Sequence, residues 1–141
     1  MIQRIQTVYL LLGALALAAF GVFEMPWSSE AAATHVWFVP SLIGLLVLTA
    51  AGALGAIFLY ENRNTQRSVV VAVQGGTVLL AGVLYGGLYL AQELSVRGPQ
   101  GTDWGLATVI ALPLVAYVLF LLARRGIDHD IELVKSMDRL R

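Results

Sequence analysis

The chain contains no cysteine. That absence excludes disulfides, thiolate catalysis, iron–sulfur clusters, Cys-ligated zinc and the thiol–disulfide exchange of some four-helix membrane oxidoreductases. Histidine is nearly absent too, with His35 and His129 alone. Charged residues make up only 13% of the chain, and four long stretches carry no Asp, Glu, Lys, Arg or His. No Ser-His-Asp set, phosphate loop or carboxylate pair occurs in a plausible context. These gaps predict a protein without a reaction of its own, without a cofactor and without a metal.

The uncharged stretches are themselves the main signal. They cover residues 5–23, 36–60, 68–92 and 104–123, or 19–25 residues each. A helix rises about 1.5 Å per residue, so each stretch can cross a hydrocarbon core about 30 Å thick. Mean hydropathy is +0.77 and 58% of residues are hydrophobic, far from a soluble domain. Four spans with short connections use up most of 141 residues. The expected fold is an all-α integral membrane four-helix up-down bundle over 1–126, with a separate amphipathic cytoplasmic tail helix over 127–141.

Charge placement sets the expected orientation. With the N-terminus inside, the inner segments hold Arg4, Arg63, Arg67, Arg124, Arg125, Lys135, Arg139 and Arg141, eight of the nine basic residues. The outer segments hold Arg97 with Glu24, Glu30, Glu93 and Asp103. This asymmetry predicts both termini in the cytoplasm. His35 and His129 then fall on opposite sides and cannot share a metal or a haem. Trp27, Trp37 and Trp104 fall near outer span ends and read as an aromatic belt, with Tyr60 at an inner end. A competing reading takes Arg4 and Ala16-Leu17-Ala18 as parts of a cleaved signal peptide. The apolar run continues through Phe20, Val22 and Phe23, which favours an uncut first span.

Small residues suggest where helices meet. Gly75, Gly82 and Gly86 fall on one face of the third span, and Gly82-xxx-Gly86 permits close backbone approach. Ala51-xxx-Gly55 on the second span and Ala14-xxx-Ala18 on the first are candidate partners. Packing inside the bundle is the expectation, and a docking face for another membrane protein the alternative. Pro113 removes a donor in mid-span four and predicts a kink there. The first outer loop predicts a short interfacial turn, and Gly98-Pro99 and Gly101 predict a turn in the second.

Gly126 permits a break before the tail. Ile127, Ile131, Leu133, Val134, Met137 and Leu140 occupy one arc of the tail helix, while Asp128, Glu132, Lys135, Ser136 and Arg139 occupy the other. Such a helix would lie on the inner leaflet, its basic residues near anionic lipid, with Glu132 pairing Lys135. A handle for a protein partner is the second reading. Interleaved acids and the lack of aromatics argue against nucleic acid. Asp128-His129-Asp130 reads as a solvated charged turn. Within the spans, Gln74, Tyr85 and Tyr89 are a candidate polar site that a small transporter or lipid-binding bundle, alone or as a homodimer, would use.

The start Met1-Ile2-Gln3-Arg4-Ile5-Gln6-Thr7-Val8-Tyr9-Leu10, the end Asp130-Ile131-Glu132-Leu133-Val134-Lys135-Ser136-Met137-Asp138-Arg139-Leu140-Arg141 and the inner loop Asn62-Arg63-Asn64-Thr65-Gln66 resemble an uncharacterised family of small bacterial membrane proteins. The resemblance implies four helices and an inner-membrane location, and no activity. Where that family carries Asn-Arg, this chain has Arg124-Arg125.

Overall fold

The computed structural model describes residues 2–141, with side chains from Ile5 onward. The Arg4 side chain, expected among the cytoplasmic contacts, lies outside the described residues. The elements are α1 (Ile2–Val22), α2 (Met25–Ser28), α3 (Glu30–Thr34), α4 (Phe38–Phe58), α5 (Arg63–Leu90), β1 (Arg97–Gly98), β2 (Gly101–Thr102) and α6 (Trp104–Arg139). Four of these helices, α1, α4, α5 and α6, are long and apolar enough to cross a membrane.

Each long helix starts or stops for a local reason. Asn62 accepts from the Thr65 amide at 3.2 Å and caps α5; Asp103 accepts from the Leu106 amide at 3.1 Å and caps α6. The connection between α1 and α4 forms the two short helices α2 and α3. Trp27 there donates to the Gly21 carbonyl at 3.1 Å, satisfying an acceptor that the end of α1 leaves open. The connection between α5 and α6 folds into an antiparallel hairpin of two-residue strands, β1 with β2, turned by Gly101 at φ +115°.

The end of α5 is less expected. Gln92 sits at φ 59°, the left-handed conformation that glycine usually fills. Its amide bonds the Tyr89 carbonyl at 3.0 Å and the next amide, Glu93, bonds Leu88 at 2.9 Å. Those two bonds complete a Schellman closure with a non-glycine residue at its strained position. Gln92→Gly should therefore stabilise the protein by about 1 kcal/mol. An unchanged or lowered unfolding midpoint in detergent would count against this account.

The four long helices form a ring. α1 packs on α6 and α4, and α5 packs on α4 and α6. The interior is filled by Leu10, Leu17 and Phe20 of α1, Leu42 of α4, Leu80, Leu84 and Leu88 of α5, and Val109 and Phe120 of α6, all fully buried. Only 22–33% of each spanning window is buried. The remainder is not polar, as a soluble bundle would require: Val47, Leu48, Leu79, Leu114 and Val118 all face outward.

The close approaches are made by other glycines than those expected. Gly13 lies against the Phe120 ring and Gly87 against the Phe38 ring, with no room for a Cβ at either. Gly55, Gly75, Gly82 and Gly86 meet nothing within 4 Å of where a Cβ would stand, and Ala51 is exposed. The internal packing role expected for these five residues is therefore incorrect. They occupy the outward faces of α4 and α5, because the inward faces carry the larger residues that fill the ring.

The separate tail helix over 127–141 is also not formed. α6 continues unbroken for 36 residues, 15 more than the 21 of α1. The excess extends the rod by about 22 Å. Gly126 does not act as a hinge: a Cβ there would stand 2.8 Å from Gln6 Cγ, so the glycine lets α1 approach. Ile127 remains fully buried beyond it, which is why the helix has a reason to continue. α6 also passes through Pro113, and the Tyr85 hydroxyl of α5 donates at 2.7 Å to Ile110, next to the Val109 carbonyl that proline leaves unpaired.

Candidate functional site

Most polar side chains that are both buried and paired gather at one end of the ring, where α1 and α5 begin and α6 passes them. Asp130 accepts from Gln6 Nε2 at 2.7 Å, and both residues are buried. Asp128, two residues earlier on the same helix, bonds Arg67 Nε of α5 through one oxygen and lies 3.7 Å from Arg124 Nε through the other. Arg124 also reaches back to Gln74 Oε1 at 3.4 Å. Gln66 donates to the Ala56 carbonyl at 3.0 Å, closing the last turn of α4.

Together these contacts fasten all four long helices at the same level. A carboxylate near lipid is costly unless paired, and here one aspartate serves two guanidinium groups while the other is held by an amide. The Arg67–Asp128 side chains remain about two-fifths exposed, so that pair contributes modestly, on the order of 1 kcal/mol or less. The Gln6–Asp130 bond is shielded and carries more, since an unmet buried partner costs about 1–3 kcal/mol. Gln74 Nε2 is buried without a partner.

Several expected site residues are placed differently. Asp128, His129 and Asp130 lie within a helix, not in a turn, and only His129 is exposed. Asp130 follows Ile127 by three residues and precedes Val134 by four, so it shares the apolar face; that spacing was the available signal for a buried carboxylate. Arg67 and Arg124, expected as free contacts, turn inward to Asp128. Arg63, Arg125, Lys135, Arg139 and Arg141 form no ion pair among the described residues, and Glu132 does not pair with Lys135.

Gln74, Tyr85 and Tyr89 do not form one polar site. Gln74 faces Arg124, Tyr85 bonds α6 eleven residues further along α5, and Tyr89 is 71% exposed. Eleven residues of helix separate Gln74 from Tyr85 by about 16 Å. Among the described residues no group of three or more His, Cys, Asp or Glu could hold a metal ion.

At the other end of the bundle, His35 stacks on Trp37 with ring centroids 5.6 Å apart, and Trp104 is 77% exposed. These side chains rim the bundle end opposite the ion-pair cluster.

The three sequence stretches that carry the family resemblance converge on that cluster. Gln6 comes from the start, Gln66 from the 62–66 stretch where α5 begins and Asp130 from the end segment, with Asp128 just before it. No curated protein and no solved structure matches the chain. A family model does match, over residues 2–140, and the chain accordingly belongs to the family described as a domain of unknown function (DUF4293).

Proposed function

We propose that this protein is a non-enzymatic accessory or scaffold subunit of the bacterial inner membrane, with both termini cytoplasmic. It docks on a larger membrane complex through the glycine face of α5, the α4–α5 loop and the inner end of α6. One observation carries the reading: Gly75, Gly82 and Gly86 have open space where side chains would stand, so the bundle makes no use of them. In lipid, helices associate by close backbone packing, and such a face supplies it. Ala51 and Gly55 give α4 a similar outward row.

The inner end adds to this. Leu133, Met137 and Leu140 are 41%, 64% and 89% exposed on a rod that continues past the bundle. A rod collinear with a span leaves the membrane surface, so Met137 and Leu140 near its tip stand beyond the lipid, where a protein partner can cover them. The non-enzymatic reading rests on the lack of any nucleophile–base pair in the sequence.

Self-association through the same α5 face is the second reading. Affinity purification in mild detergent separates the two. The expected result is a co-purifying membrane protein that Gly82→Leu reduces at least tenfold, with the chain still folded, since that position is open. A wild-type chain that elutes alone and monomeric would end both readings; a dimer abolished by Gly82→Leu would favour the second.

A further inference from the structure

The α4–α5 loop and the rod of α6 do not close on each other. Between them lie two adjoining clefts of about 650 and 550 Å³ that share Asn64, Ile131 and Lys135. The larger is floored by Ile131 and Val134 and flanked by Tyr60, Arg63 and Lys135. Arg63 and Lys135 have no carboxylate partner, unlike neighbouring Arg67, whose charge Asp128 takes up. Glu61 lines the larger cleft and Glu132 the smaller, and both are exposed to solvent.

We infer that this cleft binds the headgroup of an anionic phospholipid from the inner leaflet, with Arg63 and Lys135 on the phosphate and Ile131, Val134 and the Tyr60 ring along the glycerol and upper acyl chain. Three features select that occupant. The cleft starts where α4 ends, at the level at which a spanning helix meets headgroups, and Tyr60 there is an amphipathic ring suited to that depth. Its two sides carry unpaired cations, whereas a second copy of the chain would bring the same cations against them. Its floor is apolar, which a free phosphate does not use and a lipid does. The inference requires that the chain spans a membrane, and does not depend on the docking partner proposed above.

The test uses the purified full chain in detergent with phosphatidylglycerol or phosphatidylcholine added at equal concentration, read by native mass spectrometry. One phosphatidylglycerol should be retained per chain and phosphatidylcholine should not. Each cation near an anionic surface is worth about fivefold, so Lys135→Gln should weaken retention about fivefold and Arg63→Gln with Lys135→Gln about twenty- to thirtyfold. Arg125→Gln, exposed and outside the cleft, should leave retention unchanged. Inorganic phosphate in tenfold excess should not displace the lipid. Equal retention of both lipids, full retention by the double variant, displacement by phosphate, or a Lys135–Lys135 crosslink between two copies would each overturn the assignment. Circular dichroism of the variants checks that the helices are intact, and failure of membrane insertion would show separately as recovery without detergent.

Discussion

Gly87→Leu should prevent the bundle from assembling, while Gly82→Leu, five residues away on the same helix, should leave it standing. Gly87 faces the fully buried Phe38 ring, with no room for even one added carbon. Four added carbons have to displace that ring or part α4 from α5. Overpacking of this kind costs about 3 kcal/mol or more, a large share of a small protein's stability. At Gly82 nothing lies within 4 Å, and the added leucine also raises helix propensity, so the net effect should stay within about 0.5 kcal/mol. Thermal unfolding in detergent, followed by circular dichroism, reads both. Equal destabilisation of the two variants would mean that the faces of α5 are assigned the wrong way round.

The second large effect is expected at the contact between the first and last helices. Asp130→Leu strands the buried Gln6 amide and should cost about 2 kcal/mol. Gln6→Met strands a buried carboxylate instead and should cost more, about 3 kcal/mol, because a charged group is the more expensive to leave unmet. Combining Gln6→Met with Asp130→Leu removes donor and acceptor together and places two apolar side chains of similar size in the same space. The double variant should therefore recover most of the loss, with a coupling of at least about 1 kcal/mol. Simple additivity of the two single effects would show that the bond at 2.7 Å is not what holds these positions.

How far the sequence is legible follows from which force decides each feature. The four spans are read directly, since crossing lipid imposes one composition over one length, and α4 begins and ends within two residues of the apolar run that predicts it. Helix faces are read poorly. On a soluble helix polarity marks the outside, but here Leu79 outside and Leu80 inside have the same chemistry. A glycine in such a helix marks either a tight contact or an open groove, and spacing alone does not distinguish Gly87 from Gly86. The same ambiguity applies to Gly126, where a break and a close approach leave one signature.

The polar cluster was only half visible for another reason. Asp128 and Asp130 carry charge in a run of charged residues, which ordinarily means solvent. Their partners, Arg67 and Gln6, lie 61 and 124 residues away in the chain. Only the closing of the ring reveals that pairing. The turn between α5 and α6, by contrast, is signalled by Gly98-Pro99 and Gly101, and the chain turns there.

Because α1 has its most extensive packing on α6, a helix made early waits for one made more than eighty residues later. Until α6 is made, α1 has α4 on one side and an open seam on the other. During that interval the seam exposes Leu10, Leu17 and Phe20 to lipid or to any chaperone helix nearby. A chain stopped short of residue 104 would keep three hydrophobic segments and no ring, and should be degraded by membrane quality control before it accumulates.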